Sequence, residues 1–112
     1  DPEYFFIDTN KIEEKITKKT KAVLATHVYG NTGDLEKLEN ICKEKKIKLI
    51  FDAAHAFGVK YKGKSILNYG DYSTLSFHAT KVYHTIEGGA IYAKNREEFE
   101  KIKLKIKRIS YF

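Results

Sequence analysis

The stretch IKLIFD, residues 47–52, narrows most sharply what this chain can fold into. It is almost continuously apolar and stops abruptly at an aspartate, with the small residues Ala53 and Ala54 next. A strand lacking polar alternation reads as a parallel strand covered on both faces. What precedes it fits a crossover. KAVLATH (21–27) is a β-prone run that stops at the turn signals Gly30, Asn31 and Gly33. Asp34 is a good N-cap, and Leu35, Leu38, Ile41 and Cys42 then fall on one helical face, predicting a helix to about Lys46.

The remaining segments extend the pattern. EYFFID (3–8) reads as a short strand. Asn10 and Glu13 have capping-box spacing, predicting a short helix to about Lys18. VKYKGKSI (59–66) alternates around Lys62-Gly63 and predicts a small hairpin. YSTLSF (72–77) and GGAIYAK (88–94) read as two more strands. Asn95 and Glu98 repeat the capping-box spacing and open a helix with Phe99, Ile102 and Ile106 on its inner face. Strand, helix, strand and further helices imply an α/β fold.

Composition excludes some function classes. A chain of 112 residues suits one small domain or part of a larger one, and no apolar run approaches the ~18–20 residues that span a bilayer, so no membrane role is expected. The formal net charge is +6, but acids are interspersed among the basic residues of 11–21, 43–48 and 94–108. A lysine-rich helical exterior accounts for this, and neither zinc-finger spacing nor an RNA-binding aromatic motif accompanies it, so no nucleic-acid partner is expected. Cys42 is the one cysteine and reads as a buried core thiol; no disulfide framework or metal cluster can be built on it, and a reducing cytoplasm is the natural compartment. The chain has no methionine, so residue 1 is not a start site, and the sequence reads as a piece of something longer or a processed chain.

Polar residues gather where the strands end: His27, Asp52 and Ser76–Lys81. In open α/β sheets ligands bind at the carboxyl ends of strands. Asp52, ending a buried strand, either caps the following turn or awaits a cationic group of a ligand, because an unpaired buried charge is costly. Lys81 stands apart from the other basic residues, the nearest in sequence being Lys64 and Lys94, and is surrounded by Ser76, His78, Thr80, His84 and Thr85. It is either a solvated loop lysine or an amine nucleophile, since a partly desolvated lysine with few charged neighbours loses proton affinity. An amine nucleophile together with a buried carboxylate suggests pyridoxal phosphate, held at its pyridinium nitrogen by Asp52, with Ser76 available to the phosphate.

The segments FDAAHAFG (51–58) and SFHATKVYHTIEGGA (76–90), with KTKAVLATHVYGNTGDLEKL (19–38) before them, resemble the DegT/DnrJ/StrS family of sugar-nucleotide aminotransferases. The similarity covers about residues 3–103. It implies a partial three-layer, mixed-sheet large domain of a fold-type-I pyridoxal phosphate transferase. By position, Asp52 matches the partner of the pyridine nitrogen, Ala54 the small residue against one ring face, and His55 the residue that contacts the phenolic oxygen. Ser76 matches a phosphate ligand and Lys81 the Schiff-base lysine. His78, Tyr29 and His27 are expected on the substrate side or behind it, and His84 has no assigned role. Relatives that are sugar dehydratases carry histidine in place of the lysine, so Lys81 points to transamination. The resemblance implies an amino-acid donor, typically glutamate, a nucleotide-linked keto sugar as acceptor, and a homodimeric full-length parent; SFHATKVYHTIEGGA most resembles members acting on dTDP-linked 4-keto-6-deoxyhexoses.

The same resemblance implies missing parts. The family's large domain begins before residue 1 and supplies a phosphate loop and a ring that stacks on the cofactor. A C-terminal small domain follows it, and the partner subunit lends a residue to the phosphate. Here the last helix runs into KIKLKIKRISYF instead of the family's usual continuation. Residues 1–112 are therefore expected to be a fragment of the cofactor-binding large domain, inactive in isolation. The alternative is a truncated remnant acting at most through interactions with other chains.

Overall fold

A computed structural model describes Glu3 and residues 5–109, with side chains to residue 106. β1 (Ala22–Thr26) leads through α1 (Leu35–Glu44) to β2 (Lys48–Asp52). A two-stranded hairpin, β3 (Lys60–Tyr61) and β4 (Lys64–Ser65), precedes β5 (Tyr72–Ser76), β6 (Gly89–Ala93) and α2 (Arg96–Ile109). The main sheet has the order β1-β2-β5-β6. The first three strands are parallel, and β6 returns antiparallel to β5. The fold is α/β with a mixed sheet, as the sequence implied.

Burial along β1 and β2 alternates strictly. Val23, Ala25, Leu49 and Phe51 face α1, whose Leu35, Leu38, Ile41 and Cys42 complete the core. Removing a Leu- or Phe-sized side chain from water stabilises by roughly 1.5–3 kcal/mol, so this α1-side layer holds the fold. The Asp34 carboxylate accepts from the Lys37 amide at 3.0 Å and fixes where α1 starts. α1 stops at Glu44, two residues short of expectation, because Lys46 has a left-handed φ of 55°. Cys42 is buried as expected, and burial, with Asp71 and Glu39 nearby, pushes its thiol up to about 11.

The opposite face corrects the reading of β2 as covered on both sides. Ile50 is only half-buried and its β1 neighbour Leu24 is 64% exposed. Apolar composition alone could not tell a strand that is covered on both faces from one whose second cover lies outside the chain. α2 covers part of that face beyond β5. Phe99, Ile102 and Ile106 line a groove with Ile91 and Ala93 of β6, although Phe99 and Ile106 stay about half exposed. The Glu98 amide donates to Asn95 Oδ1 at 2.9 Å, while the Glu98 carboxylate accepts from the Tyr72 hydroxyl and pairs with Lys48 at 3.1 Å. The capping box is thus half formed, its carboxylate taken by the sheet.

Two N-terminal expectations fail. Residues 5–8 form a turn and bend rather than a strand. Phe5 takes a φ of 49°, which breaks an extended run, and Phe6 is buried against the ring of His27, with centroids 5.5 Å apart. Tyr4, within the same expected strand, lies outside the described residues. The helix to Lys18 shrinks to one 3-10 turn, Glu13–Lys15. Asn10 cannot cap it, because its side-chain oxygen accepts from Lys37 Nζ at 2.5 Å and its amide donates to Asp8.

Candidate active site

The parallel register aligns Thr26, Asp52 and Thr74 in one row, so β1, β2 and β5 end on the same edge. β6 begins there too, since Gly89 pairs with Ser76. The loop 77–88 therefore projects from the carboxyl edge, and Lys81 is on it. It is an organised loop. The Phe77 amide donates to Gly88 O, Ala79 to Ile86 O and Thr85 back to Phe77 O, at 2.8, 2.8 and 3.0 Å. The Lys81 amide closes a turn on His78 O at 2.9 Å. Both glycines of EGG are required by space. A Cβ on Gly88 would lie 2.5 Å from Thr85 Oγ1, and one on Gly89 would lie 2.9 Å from the Leu75 carbonyl oxygen.

An open cleft of about 360 Å³ runs beneath this loop, lined by Tyr29, Ala54, His55, Phe57, Thr80, Lys81 and Val82. Three polypeptide segments converge there: the turn after β1, the segment after β2 and the loop after β5. The cleft brings together Lys81, Ala54, His55 and Tyr29 of the residues singled out from the sequence. Tyr29, held at a left-handed φ of 54°, lays its ring nearly parallel to that of His55, with centroids 5.9 Å apart. Lys81 is half-buried and, among the described residues, its ammonium has no ion-pair or hydrogen-bond partner.

Asp52 sits at the end of β2 on the same edge, half-buried. Its Oδ1 accepts from the Ala54 amide at 3.1 Å, which fixes the carboxylate, and Oδ2 has no partner among the described residues. Ser76, also half-buried, receives only the long bond of 3.4 Å from the His78 amide. These unspent polar atoms fit a cofactor that has a basic ring nitrogen and an anionic tail. Among the described residues no group of three His, Cys, Asp or Glu side chains is arranged to hold a metal ion.

The other histidines are placed differently. His78 is exposed and engaged within its own loop: Nδ1 accepts from the Thr80 amide at 3.3 Å, and Nε2 faces Glu87 at 3.5 Å. His84 is exposed. His27 does not line the cleft. It is fully buried in the core, its ring between those of Phe6 and Phe51. Its Nδ1 lies 3.0 Å from Asn31 O, an acceptor only, so the proton is on Nδ1 and the buried Nε2 lone pair has no partner among the described residues. Burial lowers its pKa, opposed by the bond to Asn31 and the charge of Asp52. Sequence reasoning missed Phe57, Thr80 and Val82. An aromatic residue close after His55 in the run AAHAFG (53–58) was the available signal for Phe57.

A mixed sheet that gathers an unpaired amine and a half-used carboxylate at its carboxyl edge has the architecture of the fold-type-I pyridoxal phosphate transferases. The chain belongs to the DegT/DnrJ/EryC1/StrS aminotransferase family, whose sequence model matches residues 1–109. It is 48% identical over 101 residues to the dTDP-4-amino-4,6-dideoxy-D-glucose transaminase of Shigella dysenteriae, an alignment covering 90% of this chain and 27% of that enzyme. The crystal structure of DesI in the presence of its TDP-sugar product superposes with a TM-score of 0.86 at 32% identity, covering 92% of this chain and 26% of that one. NtdA of Bacillus subtilis, solved with bound cofactor PMP, gives 0.79 at 37% identity, covering 87% and 22%. The chain thus spans about a quarter of the length of such relatives. Pyridoxal phosphate is the cofactor of the family. Among the described residues no helix is long and apolar enough to cross a membrane.

Proposed function

We propose that this chain is the central part of the large domain of a longer sugar aminotransferase, the parent. That parent moves an amino group from an amino acid, glutamate by preference, to a nucleotide-linked keto sugar. The observation that carries the reading is the cleft that Lys81, Ala54 and His55 line together, next to the strand end that carries Asp52. A 4-keto-6-deoxyhexose on dTDP is the acceptor favoured by the likeness to the Shigella transaminase.

When bound, pyridoxal phosphate supplies an electron sink for the carbon that carries the migrating nitrogen. Lys81 Nζ supplies the amine that anchors the cofactor and takes and returns the proton at that carbon. Asp52 Oδ2 would accept from the ring nitrogen, the bond from the Ala54 amide to Oδ1 holding the carboxylate in place for that task. His55 would meet the phenolic oxygen, Ala54 would leave room for one ring face, and the Ser76 hydroxyl would donate to the phosphate. Tyr29, stacked on His55, lines the substrate side. His78 acts from behind, through its loop contacts.

A specific observation supports a second reading of the chain taken alone. One sheet face is open, with Leu24 64% exposed. Unpaired apolar sheet surface favours association. The isolated chain then self-associates and neither holds the cofactor nor transaminates, whereas the parent, expected to be a homodimer in the cytoplasm, does both.

The test is amino transfer by the parent with pyridoxal phosphate, glutamate and a panel of nucleotide-linked keto sugars. The expected result is an amino sugar nucleotide and 2-oxoglutarate in equal amounts, with turnover abolished in Lys81→Ala. Undiminished turnover in that variant, or no keto sugar accepted, would refute the reading.

A further inference from the structure

Three aromatic rings outside the buried core join the cleft floor to the Lys81 loop. Phe57, from the segment after β2, stacks on Tyr83 with centroids 4.9 Å apart and planes 16° from parallel. Phe77, at the base of the loop, meets both edge-on, at 6.0 Å from Phe57 and 5.4 Å from Tyr83. Offset-stacked and edge-to-face geometries are the attractive arrangements of aromatic pairs. All three lie outside the core cluster, and Phe57 and Tyr83 are about half exposed. The three rings thus pack on one another rather than into the core. Tyr83 lies two residues beyond Lys81, and Phe57 itself lines the cleft beside it.

The backbone of the loop needs such a tether. Its internal backbone bonds hold its two limbs together, but among the described residues no backbone bond ties it to the segment that carries Ala54 and His55. The rings span that gap. We propose that Phe57, Phe77 and Tyr83 form an aromatic latch that fixes the 77–88 loop against the strand-end segment after β2, so that Lys81 is a held amine rather than a swinging one. The three are positioning residues. The purpose assigned to them rests on the reading of Lys81 given above, but the latch itself can be tested apart from it. The ring is what matters, because the Tyr83 hydroxyl makes no hydrogen bond among the described residues.

The experiment compares Tyr83→Ala with Tyr83→Phe in the full-length parent, without cofactor, by amide hydrogen exchange. Loss of two ring contacts in Tyr83→Ala should speed exchange across residues 77–88 about tenfold while the α1 and β2 amides stay as they were. Tyr83→Phe should restore slow exchange, which a hydroxyl-based role would not. Phe57→Leu gives the same loop-confined change by removing the other stacked ring, and serves if Tyr83→Ala misfolds. A second readout is borohydride labelling with pyridoxal phosphate. The share of label on Lys81, against all other lysines, should fall severalfold in Tyr83→Ala and return in Tyr83→Phe. Unchanged loop exchange in both Tyr83→Ala and Phe57→Leu would overturn the latch, even if the unmodified parent labels at Lys81. Faster loop exchange with label absent from Lys81 in the unmodified parent would instead overturn the Lys81 reading, and with it the purpose of the latch.

Discussion

The α1-covered layer and the 77–88 loop are stabilised in opposite ways. In the first, Leu35, Leu38, Leu49 and Phe51 are fully or almost fully buried, and the ladder of β1 on β2 is uninterrupted. In the second, Val82 is 99% exposed, Ile86 is 73% exposed, and shape comes from short backbone bonds, two sterically required glycines and ring contacts. Buried area resists change without specifying chemistry. A hydrogen-bonded loop contributes little free energy but can present an amine with no charged partner at the mouth of a cleft. The rigid layer delivers Asp52, on a strand, and the loop delivers Lys81. The proposed function places its chemistry where the two meet.

The widest separation of the two regions comes from a pair of substitutions in the parent. Lys81→Ala should lower transamination by at least ~10³-fold with an unchanged thermal midpoint, because proton transfer by a positioned side chain contributes ~10²–10⁴-fold and the anchoring amine is lost with it. Leu38→Ala should do the reverse, costing about 2–5 kcal/mol of stability while the folded fraction keeps its catalytic rate. A collapse of stability in Lys81→Ala, measured by calorimetry, would erase the distinction. Next in size, Asp52→Asn is nearly isosteric and retains an oxygen for the Ala54 amide. Turnover should fall more than ~10-fold, about 1.4 kcal/mol of barrier, with cofactor still bound through its phosphate. A smaller loss would remove Asp52 as the ring partner.

The smallest effect concerns pH. Burial holds the pKa of His27 below its ordinary value. Below that ordinary value the unfolded chain takes up a proton that the folded one refuses. The contribution of His27 is therefore complete above its unfolded pKa and is lost as pH falls toward the folded one. Thermal midpoints should drop between pH 7.5 and 5, and less so in His27→Gln. Equal slopes in the two proteins would place the acid sensitivity elsewhere.

Legibility followed the physical source of each element. β1, β2, β5 and β6 were readable as β-prone or apolar runs bounded by turn signals, and α1 from its apolar face, with Asp34 marking its start. The aromatic run 3–8 misled because Phe6 is buried by stacking on His27, a contact 21 residues away that local pattern cannot encode. Asn10 misled likewise, its side chain claimed by Lys37. At the site, the strand-end clustering of Asp52, Ser76 and Lys81 was visible, since topology follows from the order of elements. The burial of His27 was not, because the residue just past a strand end can turn toward the core or toward the cleft. The rings of Phe57 and Tyr83 meet across 26 residues of chain, and no spacing rule reports that.

In the proposed function Lys81 is the amine that carries the cofactor. The direct measurement is borohydride reduction of the cofactor-loaded parent, followed by proteolysis and peptide mapping. A pyridoxyl group is expected on the peptide containing Lys81, at close to one per chain. Label on any other lysine, with the Lys81 peptide unmodified, would contradict it.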